Sequence, residues 1–177
     1  MAQAVAAKGF ADTTIADIVR AAGVSRRTFY EHFATRAECF LALYEAASHN
    51  TLAVLRAAID PGHPWQTQLD HALTAYLGAM AQNPALVRSL FIEIHSLGAD
   101  GLAARRRVNQ ALCGFMLQVV NGPGGRARKA PLTEEMAVAA VGGINELVLR
   151  AIELGRAAAL EELAGPASQL VRTITRP

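Results

Sequence analysis

The chain has 177 residues, 52% hydrophobic and 18% charged, enough apolar mass to bury a core and the wrong balance for a disordered chain. A formal net charge of +2 does not by itself suggest nucleic acid, because a whole-chain balance hides local patches. The two cysteines, Cys39 and Cys113, lie far apart and exclude a disulfide framework or a CxxC metal pair.

Alanine fills 36 positions while aromatics make up 6%, a bias toward helix packed closely on helix. Gly9 closes a short Ala-rich helix, with Phe10 folding back as its apolar contact. Thr13 or Thr14 caps the next helix, and Thr14 with Asp17 resembles a capping box. Ile15, Ile18, Val19 and Ala22 follow helical spacing until Gly23. Ser25 caps a third helix running to about Phe33, and the box Thr35-Arg36-Ala37-Glu38 opens a long one reaching about Ile59.

Asp60-Pro61-Gly62-His63-Pro64 is a strong breaker and, by composition alone, the expected domain boundary. Helical periodicity returns over 66–82, stops at Asn83-Pro84 and resumes over 85–97. A turn at 98–101, with Asp100 as cap, leads to a helix ending near Val120. A loop opened by Asn121-Gly122 lasts until Thr133, which caps a helix carrying Glu134 and Glu135 in its first turn and ending at Gly155. Shorter pieces follow, broken at Gly165-Pro166 and ending near Ile174. No segment alternates with period two, so the expected class is all-α, with nine or ten helices. Residues 1–10 lack a basic region followed by an apolar stretch, and the longest apolar run, 136–144, is too short for a bilayer, so a soluble cytoplasmic protein is expected.

Thr13 to Phe33 form a unit: two short helices joined by Ala22-Gly23-Val24-Ser25 match a helix-turn-helix, although two helices of any bundle can meet at a glycine turn. Ile15, Ile18, Val19, Val24, Phe29 and Phe33 would form its core. Ser25, Arg26, Arg27, Thr28, Tyr30 and His32 would face outward. Arg26 and Arg27 fall in the first turn, the part that meets base edges in the major groove, and arginine suits guanine through two hydrogen bonds. Tyr30, His32 and Arg36 offer donors to phosphate. From Arg20 to Arg36 four arginines face one acid, Glu31; further basic clusters are Arg105-Arg106-Arg107 and Arg126, Arg128 and Lys129, and such runs commonly serve as solvated faces.

The stretch Gly9-Phe10-Ala11-Asp12-Thr13-Thr14-Ile15-Ala16-Asp17-Ile18, then Ala21-Ala22-Gly23-Val24-Ser25, then Thr28-Phe29-Tyr30-Glu31-His32-Phe33 resembles the TetR family of transcriptional repressors. Thr35-Arg36-Ala37-Glu38-Cys39-Phe40-Leu41 resembles the start of that family's fourth helix, so the likeness spans about 35 residues in order and spacing. The resemblance implies a three-helix DNA-binding head, a connecting helix and an α-helical effector domain that dimerises, here divided as 1–45 and 46–177. It also implies that Thr13 or Thr14 touches phosphate, that Arg26, Arg27 and Thr28 read bases, that Tyr30 and His32 contact backbone or bases, and that Arg36 reaches phosphate. One departure stands at the front: eight residues precede Gly9, where the family has a longer and often basic helix; either the sequence lacks its natural start or the first helix is truncated, and a truncated helix would leave the head less stable with fewer phosphate contacts.

The resemblance places a dimer interface on the last two long helices, where Met136, Ala140, Gly143, Ile144 and Leu147, together with Leu170 and Ile174, are candidates; ordinary monomer core is the alternative for the same stripe. A pocket enclosed by 66–120 and the following helix would be lined by Tyr76, Met80, Phe91, His95, Phe115, Met116 and Asn145, residue types that in such positions are more often plain core than ligand contacts. The scarcity of charge favours an apolar or weakly polar organic effector. Enzyme motifs are missing: HExxH, GxSxG and P-loop patterns do not occur, and Glu45 and His49, four apart on one helix, read as a surface pair before a metal site. No cofactor or metal is expected. The sequence therefore predicts a homodimeric, ligand-responsive regulator, a repressor, on a pseudo-palindromic DNA operator. A helical dimer that binds small molecules without DNA is the alternative.

Overall fold

The computed structural model describes residues 1–122 and 131–175. The described residues form α1 (Ala2–Lys8), α2 (Ile15–Ala22), α3 (Arg26–His32), α4 (Arg36–Ala57), α5 (Trp65–Ala81), α6 (Pro84–Glu93), α7 (Gly98–Asn121), α8 (Glu134–Glu153) and α9 (Ala164–Ile174), with 3-10 segments at Ile94–Leu97 and Ala157–Leu163 and no strand. The fold is all-α. The basic cluster of Arg126, Arg128 and Lys129 lies outside the described residues.

Local chemistry sets the boundaries in the head. Thr14 caps α2, its Oγ1 accepting from the Asp17 amide at 3.2 Å while the Asp17 carboxylate accepts from the Thr14 amide at 2.9 Å, a complete capping box. Gly23 takes a left-handed conformation, φ 68° and ψ 28°, which ends α2 and lets the Val24 amide reach back to the Val19 carbonyl at 3.0 Å. Ser25 caps α3 through the Thr28 amide at 3.1 Å. Thr35 caps α4 through the Glu38 amide at 3.1 Å, but the Glu38 carboxylate accepts from the Ala34 amide at 2.6 Å, so the expected reciprocal box is displaced by one residue.

Ile18, Val19, Phe29 and Cys39 pack together as the core of the head, with Ile15 and Phe33 against them. Val24, expected in that core, is 44% exposed, because the turn at Gly23 carries it outward. A second cluster joins the head to the rest: Val5 and Phe10 pack with Phe40 and Tyr44 of α4, Leu90 of α6, Ile94 of the 3-10 turn after it, and Ala104 of α7. Ser89 Oγ of α6 also lies 3.3 Å from the Val5 carbonyl. The head is thus held by α1 as well as by the connecting helix α4.

The larger half is layered around α5. Trp65, Leu69 and Leu73 pack with Met116 and Val120 of α7, Val141 and Ile144 of α8 and Val171 of α9. At its other end Leu77 and Met80 pack with Leu52 and Leu55 of α4, Val148 and Ile152 of α8 and Leu160. Exposed ion pairs tie these layers at the surface, Arg172 to Asp70 between α9 and α5 and Arg107 to Glu45 between α7 and α4.

Two boundaries differ from expectation. Asp100 lies in the first turn of α7 as a favourable acid and not as its cap, because the helix already begins at Gly98, whose φ of 57° admits the sharp exit from the 3-10 turn. Gly165-Pro166 does not break the chain: both lie in the first turn of α9, where an amide has no intrahelical partner and proline costs nothing.

Candidate nucleic-acid interface and effector cavity

The placement of α3 follows from Phe29, which is buried between α2 and α4 and turns the remaining side chains of the helix outward. Arg26 and Arg27 stand exposed in its first turn. Among the described residues Arg26 has no hydrogen-bond partner, while Arg27 Nε pairs with Glu31 Oε1 at 3.2 Å across one exposed turn. Tyr30 is 57% exposed, its ring edge-on to Phe29 at 5.5 Å, so its base is fixed and its hydroxyl faces solvent. His32 is exposed beside Phe33, and the Ser25 and Thr28 hydroxyls lie 3.0 Å apart at the start of the helix. Arg20, which sequence reasoning counted as charge but not as a site, stands exposed at the end of α2. The face offers guanidinium and hydroxyl donors around one acid, Glu31, a surface suited to phosphate and guanine edges.

Two expected contacts are corrected. Thr13 is 0% exposed, and its hydroxyl donates inward to the Gly9 carbonyl at 2.6 Å, so only Thr14 of the pair remains at the surface. Arg36 is turned into the head: Nη1 lies 3.0, 2.9 and 2.6 Å from the carbonyls of Phe10, Ala11 and Thr13, with the guanidinium 4.7 Å over the Phe10 ring. Three carbonyls converging on one cation, beside an aromatic face, make Arg36 the clasp of the α1–α2 loop.

In the larger half a cavity of about 120 Å³ opens between α4, α5, α6, α7 and α8. Tyr76, Met80, Phe91, His95 and Asn145 line it, and Tyr44, Arg105 and Asn109 add a polar wall that sequence reasoning did not name. A second, almost wholly apolar chamber of about 40 Å³ is lined by Phe115 and Met116 and shares Tyr76, Leu112 and Asn145 with the first. Asn145 Nδ2 donates to Asn109 Oδ1 at 3.1 Å between α8 and α7. Burial pushes the Tyr76 phenol up to about 12, helped by neighbouring Tyr44, whose own phenol burial also raises. The spacing of Arg105, Asn109 and Leu112 on α7 could have revealed the polar wall, since i, i+4 and i+7 share one helix face.

The proposed interface residues divide between two places. Ala140 and Ile144 are buried inside the monomer core against α5 and α7, which corrects their assignment to a dimer surface. Met136, Gly143 and Leu147 are not fully buried along α8, and a Cβ on Gly143 would stand 2.8 Å from Leu170 of α9. Leu170 and Ile174 are half-buried there. Leu154, 62% exposed, lies two turns beyond Leu147 at the end of α8.

The fold is a helix-turn-helix head docked on a helical domain with an internal cavity. Residues 2–43 match the family described as bacterial regulatory proteins, tetR family. The crystal structure of a bacterial regulatory protein in the tetR family from Rhodococcus RHA1 is similar at a TM-score of 0.74 and 22% identity, covering 98% of this chain and 92% of that one. A TetR-like transcriptional regulator from Rhodococcus sp. RHA1 is similar at a TM-score of 0.63 and 20% identity, covering 99% and 92%. No curated relative matches the chain. The head thus matches the tetR family model in sequence, and the whole described chain is similar in fold to these two structures. DNA binding is what the family implies for the head. Among the described residues no helix is long and apolar enough to cross a membrane.

Proposed function

We propose that the protein is a ligand-responsive repressor that binds a pseudo-palindromic operator as a homodimer in the cytoplasm. Residues 1–45 serve as the DNA-binding unit and 46–177 as the ligand-binding and dimerisation unit. The observation that carries this reading is the exposed face of α3, anchored from behind by Phe29 and presenting Arg26, Arg27 and Tyr30 together. Arg26, Arg27 and Thr28 read base edges, while Thr14, Ser25, Tyr30 and His32 hold phosphate or neighbouring bases. The flank of Met136, Gly143 and Leu147 on α8, with Leu170 and Ile174 on α9, meets its copy to form a four-helix interface that sets two recognition helices one DNA turn apart, about 34–36 Å.

The cavity is the effector site. Tyr44, Ser48 and Thr51 of α4 form part of its wall, and Phe91, Ile94 and His95 form another part, on elements whose Leu90 and Ile94 also pack against α1 and α4. An occupant therefore bears on both attachments of the head and moves α4, a coupling worth about 1–3 kcal/mol. Selection of duplexes from a random library tests the reading, with an Arg26→Ala, Arg27→Ala protein alongside. One pseudo-palindrome recovered by the native protein and lost by the variant is expected; no enrichment from dimeric protein contradicts it.

A further inference from the structure

We propose that the effector is a compact amphipathic monocarboxylate, its acid group held among Arg105, Tyr44 and Tyr76 and its apolar body reaching past Tyr76 into the second chamber. This deepens the reading of the cavity as an effector site and rests on it.

The polar wall is made of donors that lack acceptors. Arg107 pairs with Glu45, but Arg105, half-buried two residues earlier, has no ion pair or hydrogen bond among the described residues. Tyr44 and Tyr76 are each nine-tenths buried, and no hydrogen bond reaches either hydroxyl among the described residues. Neither hydroxyl is sealed from solvent, because among the described residues the buried side-chain oxygen without a partner is on Asp70; both open into the cavity, where a ligand that accepts from them replaces water. Both phenols remain protonated at neutral pH, since burial raises them, and act as donors. Asn109 uses its carbonyl oxygen on Asn145, which leaves its own amide hydrogens to donate.

A guanidinium, two phenols and an amide converging on one space match an acceptor-rich anion, and a carboxylate is the compact organic group that accepts several such bonds. Glu146 borders the same cavity from an exposed position at its mouth. A second acid group on the ligand would meet that charge, which argues for one carboxylate and against two. Beyond Tyr76 the walls are Leu69, Leu73, Phe115, Met116 and Ile144, where a hydrocarbon or aryl body leaves water. The scarcity of charge in the sequence suggested an apolar or weakly polar effector; the unpaired Arg105 changes the head group.

Calorimetric titration of the full chain with octanoate and 4-phenylbutyrate, against 1-octanol and octylamine, tests this. The acids are expected to bind about tenfold more tightly than the alcohol or the amine. Arg105→Gln should abolish that margin while leaving 1-octanol binding within about twofold, and Tyr76→Phe should weaken the acids without unfolding the protein. Should Arg105→Gln fail to fold, the native comparison and Tyr76→Phe decide the matter. Equal binding of octanoate and 1-octanol, or preference for the amine, overturns the acid head group and leaves a small-molecule cavity standing. Failure of every probe to bind overturns both the head group and the effector site.

Discussion

The head and the larger half achieve order in opposite ways. In the head, the short helices α2 and α3 are fixed by the side-chain caps Thr14 and Ser25, Thr35 caps the start of the connecting helix α4, and the loop before α2 is clasped by Arg36, so the core can remain small. Its chemistry points outward from α3. In the larger half, caps are sparser and helices longer, and order comes from apolar layers around α5. Its unpaired polar groups point inward, into a cavity. A rigid outward face suits a surface that must register on an external lattice of phosphates, and imperfect internal packing suits a site that must respond to an occupant.

The sharpest way to break that contrast is at the residue both halves share. Phe40 is fully buried where α1, α4, α6 and α7 meet. Phe40→Ala should cost about 3–5 kcal/mol in chemical denaturation and uncouple unfolding of the head from the rest. A single transition shifted by less than 1 kcal/mol, on the order of an exposed substitution, would show that the junction is not a structural core.

Arg36→Ala comes next. Loss of a charged donor to three carbonyls should lower stability by about 1.5–3 kcal/mol, read as a lower denaturation midpoint. The dependence of DNA affinity on salt should keep its slope when measured on folded protein. A slope smaller by about one would return Arg36 to the phosphate contacts.

Thr14→Ala removes the cap of α2 and should cost about 0.5–2 kcal/mol by thermal unfolding. The smallest effect is that of acid on the same box. Hydrogen bonds from Lys8 and Thr14 hold the Asp17 carboxyl well below the usual carboxylate range. A carboxyl depressed in the folded state contributes stability above its unfolded pKa, and that contribution is lost as pH falls toward the folded value. Melting temperature should therefore decline below about pH 4, with a shallower decline in Asp17→Asn. Identical acid profiles would show that the box contributes nothing through charge.

The same contrast explains what the sequence made legible. Caps are statements about residues three apart, so Thr14, Ser25, Thr35 and Thr133 could be read without tertiary knowledge. Thr13 and Thr14 are chemically alike, and only the closure of the α1–α2 loop by Arg36 decides which is buried. Gly165-Pro166 misled because the pair that breaks a helix interior is tolerated in a first turn. On α8 Met136, Ala140, Gly143 and Leu147 follow i, i+4, i+7 and i+11 spacing and share one face, so the pattern could not show that Ala140 is buried in the core while Met136 stays exposed. Arg105 was hidden in a run of three arginines whose members face three directions: Arg107 meets Glu45, Arg106 is exposed and Arg105 lines the cavity.

The central claim is that the exposed turn of α3 reads sequence. The most direct measurement is the affinity of the native protein and Arg26→Ala for the selected duplex and for its scrambled counterpart, at several salt concentrations. The account predicts a loss of about 1–3 kcal/mol on the selected duplex, little change on the scrambled one and an unaltered melting temperature. Equal losses on both duplexes would make Arg26 a phosphate contact, and equal native affinity for both would contradict sequence reading by this helix.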